Sequence, residues 1–420
     1  MVFRKINATL VATMMFLRCV IDDIGINPFK HFWVVDAAEA TKKSDSEMLQ
    51  DVMRWAESHG AFFNPKVETR PIVGDLSGIF AKEPMKEGEI VSKIPWDIIV
   101  KPPPGEGRGL CAAIGATLEV LRKDPDEQTP YDKYLSSRPI RFHPMFWSTK
   151  GHELLHELIG DLPPDEDDFS PQRFLDHFGC EDFDFEDETV HKALMLVMTR
   201  SEGHRMDCLV PFNDLINHKN GHDYTAEPRY EEGEYFAIVT RRDVEAGEEI
   251  RNSYNQCEFC LDFSNCPSFE LIFVTPHLLD HYGFVEPYPQ RWIIPSRRLL
   301  FDVMEVDGND GILNATFAIP PSPLGVQFLH DDIARLKLFA ERLISEKPNI
   351  PDIEYNTLLE YHQSILRAYE LAYEQSKLEV LTDEVWYRHR DYWWEEEVQQ
   401  GANAAITPSS SFVDPFDEEF

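Results

Sequence analysis

Four short segments hold most of the residues in this chain that could do chemistry. The first is Gly74-Asp75-Leu76-Ser77-Gly78-Ile79-Phe80-Ala81, continued by Gly88-Glu89-Ile90-Val91 and Ile94-Pro95. The second is Val210-Pro211-Phe212-Asn213-Asp214-Leu215-Ile216-Asn217-His218. The third is Ala246-Gly247-Glu248-Glu249-Ile250, leading into Asn252-Ser253-Tyr254-Asn255. The fourth is Leu278-Leu279-Asp280-His281-Tyr282-Gly283-Phe284-Val285. Glycine allows a second group to approach the backbone closely. An Asn amide and a Tyr hydroxyl both donate and accept hydrogen bonds. Singly these signals are weak: His218 alone is better read as capping a turn, and a tyrosine in a strand is usually plain packing. Their fixed order is the stronger signal.

A second constellation lies between Tyr254 and Tyr282, where 27 residues intervene. It contains Cys257-x-x-Cys260 and then Cys266, three thiols that can hold zinc. The fourth ligand would come from His277, His281 or Cys208. The competing readings are a disulfide and free thiols, with free thiols favoured. The chain has seven cysteines, an odd number with four of them scattered, which does not form a disulfide framework. A reducing compartment is the default.

The elements that must position these residues are short. A helix is expected after the polar stretch 41–49, with Met53, Trp55 and Ala56 among its apolar residues, stopping near Gly60. Short β-type runs follow at 72–83 and 89–95, with later ones at 234–241 and 249–254, each bounded by Gly-containing turns. Residues 110–122 read as a buried helix, and 189–202 as another. Acidic loops occupy 161–170 and 181–188. From 331 the period changes: Ile333, Leu336, Ala340, Leu343 and Ile344 mark one helical face, and Leu358, Tyr361, Ile365, Tyr369 and Ala372 a second. There is no G-x-G-x-x-G after a strand and no P-loop, so a nucleotide-like cofactor would not sit on a Rossmann sheet.

Composition sets the outer bounds. The 420 residues, 43% hydrophobic and 12% aromatic, describe a globular chain of about two domains. Lys plus Arg number 40 against 75 Asp plus Glu, a formal net charge of −35. Such a surface repels phosphate backbones and favours basic partners. Direct nucleic-acid binding is therefore not expected. The N-terminus carries Arg4 and Lys5 before an apolar run, Ala8 to Leu17, the shape of a signal-peptide core. It is too short to cross a bilayer, and no other stretch is long enough. A cleaved targeting peptide and a buried or frayed helix both fit it, so cytoplasm, nucleus and plastid all stay open.

Taken together, the four ordered segments resemble the SET-domain protein methyltransferases, and within them the branch typified by the Rubisco large-subunit methyltransferase. The resemblance covers roughly residues 50–295. It implies an α+β chain with these parts: an N-terminal segment over 1–45, a SET domain over 46–295 and an all-α substrate-binding domain over 296–398. The SET domain would carry a helical insert at about 105–200 and a cysteine-containing insert at 255–277. A disordered tail would run over 399–420. The activity implied is transfer of a methyl group from S-adenosyl-L-methionine to a lysine of another protein, a non-histone one, by a monomer. A histidine target and a catalytically silent binding module are the alternatives.

The resemblance also assigns residues. Tyr254 falls on the tyrosine of the reacting centre. Leu76, Ser77, Gly78 and Ile79 would touch the cofactor through the backbone. Asn217 would hold the amino-acid end of the cofactor, Arg200 its carboxylate, and His218 the adenine by its backbone, its ring or both. Phe284 would pack by the adenine, while Tyr282 and Tyr230 would line the target channel. Asp214 would stabilise the loop around Asn217. Two departures stand out: the long cysteine insert, and Tyr254-Asn255 where relatives have Tyr-Gly. Asn tolerates the left-handed backbone better than most residues, so the turn is expected to survive.

Overall fold

The computed structural model describes residues 45–72, 77–103, 109–138, 143–160, 162, 171, 179–180, 183–184, 187–202, 208–231, 233–255, 274–297, 299–306, 312–318 and 320–379. Leu76, Cys257, Cys260 and Cys266, the N-terminal segment and the C-terminal tail lie outside these. Among the described residues no helix is long and apolar enough to cross a membrane.

The chain opens with α1 (Asp45–Ser58), which buries Leu49, Val52 and Ala56 along one stripe. Two four-stranded sheets follow. One has the order β1 (Phe62–Phe63), β4 (Ile90–Pro95), β9 (Tyr235–Thr240), β8 (Ala226–Glu231). The other has the order β2 (Val67–Pro71), β3 (Ser77–Ala81), β10 (Glu249–Asn252), β7 (Asn217–His218). Their apolar faces share a core with α1 that includes Ile79, Val91, Ile94, Phe236, Ile238 and Ile250. Strands this short gain little from their ladders alone. The core they share holds them in place.

Between β4 and β7 the chain is mainly helical. It runs through α2 (Leu110–Leu121), α3 (Pro130–Ser137), α4 (Thr149–Ile159) and α5 (Glu188–Arg200), then the short ribbon of β5 (Ser201–Glu202) and β6 (Cys208–Leu209). Helices α2 and α5 share a core of Leu110, Ile114, Leu118, Ala193, Leu194 and Val197. Cys180, next to this core, forms a disulfide with Cys111 of α2 across a Cα–Cα distance of 5.4 Å. No disulfide framework was expected of the scattered cysteines, yet these two form a single bridge. The two are 69 residues apart in sequence, and only the folding of the insert brings them together. Among the described residues this is the one bridge, and linear spacing gave no sign of it.

The segment from 296 is not helical throughout. A three-stranded antiparallel sheet, β11 (Gln290–Ile294), β12 (Leu299–Glu305) and β13 (Leu313–Phe317), leads into α7 (Pro323–Glu346) and α8 (Asp352–Glu379). Trp292, Phe301 and Val303 of the sheet pack with Leu336, Leu343, Leu358 and Tyr361 of the helices, and α4 joins the same core. A buried ion pair hid the sheet from the sequence pattern. Asp302, in the middle of β12, accepts from Arg291 Nε at 2.8 Å and from Arg291 Nη2 at 2.9 Å. Replacing Asp302 with Ala would take the carboxylate away from a buried guanidinium, at a cost of about 3–5 kcal/mol. Thermal denaturation of Asp302→Ala should show the loss as a clearly lowered midpoint.

Candidate active site

Strand β10 brings the sequence segments together. It pairs antiparallel with β3, setting Ile250 opposite Ile79, and parallel with β7, setting Arg251 opposite Asn217 and Asn252 opposite His218. The glycine segment, the Asn-His pair and the strand leading to Tyr254 are therefore neighbours in one sheet. Glu249 links them: its Oε1 accepts from Asn217 Nδ2 at 2.8 Å. A Cβ at Gly78 would lie 2.7 Å from Glu249 Oε1 and 3.0 Å from Asn217 Nδ2. The absent side chain at 78 thus makes room for this internal contact. Asn217 Nδ2 also donates to the Ser77 carbonyl at 3.3 Å.

His218 is tied up inside the protein. The Tyr254 N–H donates to its Nδ1 at 3.0 Å, so Nε2 carries the proton and donates to Glu286 Oε1, also at 3.0 Å. Both ring nitrogens are used, which leaves the backbone rather than the ring for any ligand. Glu286 is 1% exposed and serves as a hub. Its Oε1 also accepts from Asn220 Nδ2 at 2.6 Å and Asn255 Nδ2 at 2.9 Å, and its Oε2 accepts from Thr275 Oγ1. This explains the departure at 255. Asn255 is not in the left-handed region, where Phe212 is the one non-glycine residue among those described. Its amide is there to donate to Glu286.

The Tyr254 side chain lies among aromatic rings. Ring centroids are 4.8 Å away at Tyr282, 5.2 Å at His218 and 6.3 Å at Phe284. The turn that aims Tyr282 and Phe284 comes at the end of α6 (Thr275–Tyr282), where Gly283 takes a φ of 74°. Tyr254 Oη donates to the Ile216 carbonyl at 2.8 Å, which leaves the oxygen lone pairs facing away from that carbonyl. Burial raises the Tyr254 hydroxyl far above its ordinary pKa, and the Tyr282 hydroxyl and Glu202 add to the rise. The group therefore stays protonated at physiological pH and does not act as a base.

Arg200, at the end of α5, donates from Nη1 to Asp214 Oδ2 at 2.6 Å. Tyr134 Oη of α3 donates to the same oxygen, also at 2.6 Å. Asp214 thus joins α3, α5 and the turn before Asn217, the structural role expected of it. That turn follows Phe212, whose φ of 78° is a strained conformation for a bulky side chain. Tyr230 is 39% exposed on the edge strand β8 and stacks on Phe236, with ring centroids 6.4 Å apart.

Sequence reasoning missed Glu286, Asn220, Asn255 and Thr275 as a network, and it missed Glu202. Glu202 lies on β5 directly after Arg200-Ser201, and Asn213 Nδ2 donates to its carboxyl. Burial pushes that carboxyl up to about 7, against the pull of Asn213. Nearby, Ser201 Oγ, Asn213 Oδ1 and Asp214 Oδ1 are buried without a hydrogen-bond partner among the described residues. Orphaned buried polar atoms are costly, which makes these three candidates for contact with a ligand.

Residues 77–255 match the SET domain family model. The solved SET domain of LSMT bound to lysine and AdoHcy is similar at 12% identity and a TM-score of 0.48, over 87% of this chain and 100% of that one. Rubisco LSMT bound to sinefungin and monomethyllysine is similar at 13% identity and a TM-score of 0.49, over 84% and 99%. No curated protein matches the sequence.

Proposed function

We propose that the chain is a protein methyltransferase that uses S-adenosyl-L-methionine and acts on a lysine side chain. The observation that carries this reading is the convergence of Asn217, His218 and a buried, protonated Tyr254 on one strand pair inside a SET domain. S-adenosyl-L-methionine supplies an electrophilic methyl group on a sulfonium. The residues present fit its amino-acid end. Arg200 has donors for a carboxylate, and Asn217 Oδ1 can accept from an ammonium.

The contribution of the protein is positional. A nucleophile held on the line of the breaking bond gains much of its rate from orientation. The Tyr254 hydroxyl is fixed by the Ile216 carbonyl below and the Tyr282 ring beside it. It presents lone pairs to polarised C–H groups and to the attacking nitrogen. Because it keeps its proton, the amine must lose its own proton to another group or to water.

Titration calorimetry with S-adenosyl-L-methionine and S-adenosylhomocysteine tests the reading. Saturable binding is expected, and Asn217→Ala should weaken it about tenfold, the effect of one hydrogen bond to a charged group. Folded protein that binds neither compound would refute the proposal.

A further inference from the structure

The site has an end rich in acceptors, which suits a cation. Ser201 Oγ, Asn213 Oδ1 and Asp214 Oδ1 are buried and unpartnered, and an ammonium has three donors and no acceptor. Glu202 lies among these atoms. Its carboxyl is held by Asn213 Nδ2, and its backbone carbonyl accepts from Cys208 Sγ at 3.1 Å. Its charge raises the hydroxyls of both Tyr254 and Tyr282, which puts the buried carboxyl within electrostatic reach of the aromatic cluster. Aromatic faces beside a carboxylate also favour a cation.

From this geometry we infer that Glu202 is the group that receives the target ammonium and takes its proton before methyl transfer. The inference rests on the methyltransferase reading above and deepens it by naming the group that accepts the proton. In the step, a substrate Nζ–H bond breaks and its proton passes to a Glu202 carboxylate oxygen. The freed lone pair forms the N–CH₃ bond as the C–S bond breaks and its electrons go to sulfur. The product is a methylated ammonium and a neutral thioether, and Glu202 then returns its proton to water.

Tyr254 cannot do this, because its hydroxyl is already protonated and buried. Glu202 is suited to it. Burial raises its carboxyl to about 7, while a neighbouring sulfonium lowers an amine that starts near 10.4. The two affinities converge, which is the condition for efficient proton transfer. The titratable groups that its charge reaches are Tyr254 after β10, Tyr282 of α6 and Tyr224 before β8.

The test uses n-butylamine, which carries only the lysine side-chain amine, titrated into protein saturated with S-adenosylhomocysteine. Wild-type protein should bind it more tightly as pH rises from 5.5 to 8.5, because Glu202 ionises over that range. Glu202→Gln, close in shape, should bind it about tenfold or more weakly at pH 8.5 and lose the pH dependence, as expected for a charge-assisted contact. Two results overturn the inference: equal affinity and pH dependence in Glu202→Gln, or no amine binding by protein that does take up S-adenosylhomocysteine. Wild-type protein that takes up no S-adenosylhomocysteine overturns the methyltransferase reading itself, and this inference with it.

Discussion

Tyr254→Phe should lower the rate of methyl transfer by about 10²–10³-fold, the usual loss when one preorganised polar group at a reacting centre is removed. Affinity for S-adenosylhomocysteine should hardly change. The phenyl ring keeps its packing against Tyr282, His218 and Phe284, and the backbone N–H of residue 254 still donates to His218 Nδ1. Only the oxygen is lost, together with its bond to the Ile216 carbonyl. Single-turnover rates set beside calorimetric affinities separate the two effects. Full activity in Tyr254→Phe would show that orientation comes from elsewhere in the pocket.

The largest expected effect on stability belongs to Glu286. Replacing it with Ala would leave His218 Nε2, Asn220 Nδ2, Asn255 Nδ2 and Thr275 Oγ1 without their acceptor, in a region closed to water. Each orphaned buried donor costs roughly 1–3 kcal/mol, so a loss of about 5 kcal/mol remains after relaxation. The melting temperature should fall on the order of 10 °C or more. Glu286→Gln should recover most of it. Its amide oxygen can keep the three donors on Oε1, and the Thr275 hydroxyl can turn to accept from the new NH₂. Equal losses in the two variants would mean that the site does not depend on this hub. Because His218 and Asn255 flank Tyr254, Glu286→Ala should also reduce activity more than its unfolded fraction accounts for.

The sequence reached some of these residues and not others, for physical reasons. Asn217, His218, Tyr254, Tyr282 and Phe284 lie in segments where turn chemistry and strand patterning coincide, so the order of the segments foretold their meeting. The parallel pairing of β7 with β10 that carries out this meeting involves two residues of β7, too few to leave a pattern. Glu286 and Glu202 read as ordinary acidic residues in a chain with 75 of them. Only burial sets them apart, and burial is a property of the fold. The three-stranded sheet before α7 was obscured because Asp302 puts a charge in the middle of β12, paired with Arg291 out of reach of linear pattern.

The central claim is methyl transfer to a protein lysine. The most direct measurement incubates cell extract with methyl-labelled S-adenosyl-L-methionine and either wild-type protein or Tyr254→Phe, followed by acid hydrolysis and separation of the labelled amino acids. The account predicts label in N-methylated lysine with wild-type protein and close to none with Tyr254→Phe. Label in methylhistidine, or none at all from folded protein that binds S-adenosylhomocysteine, would contradict it.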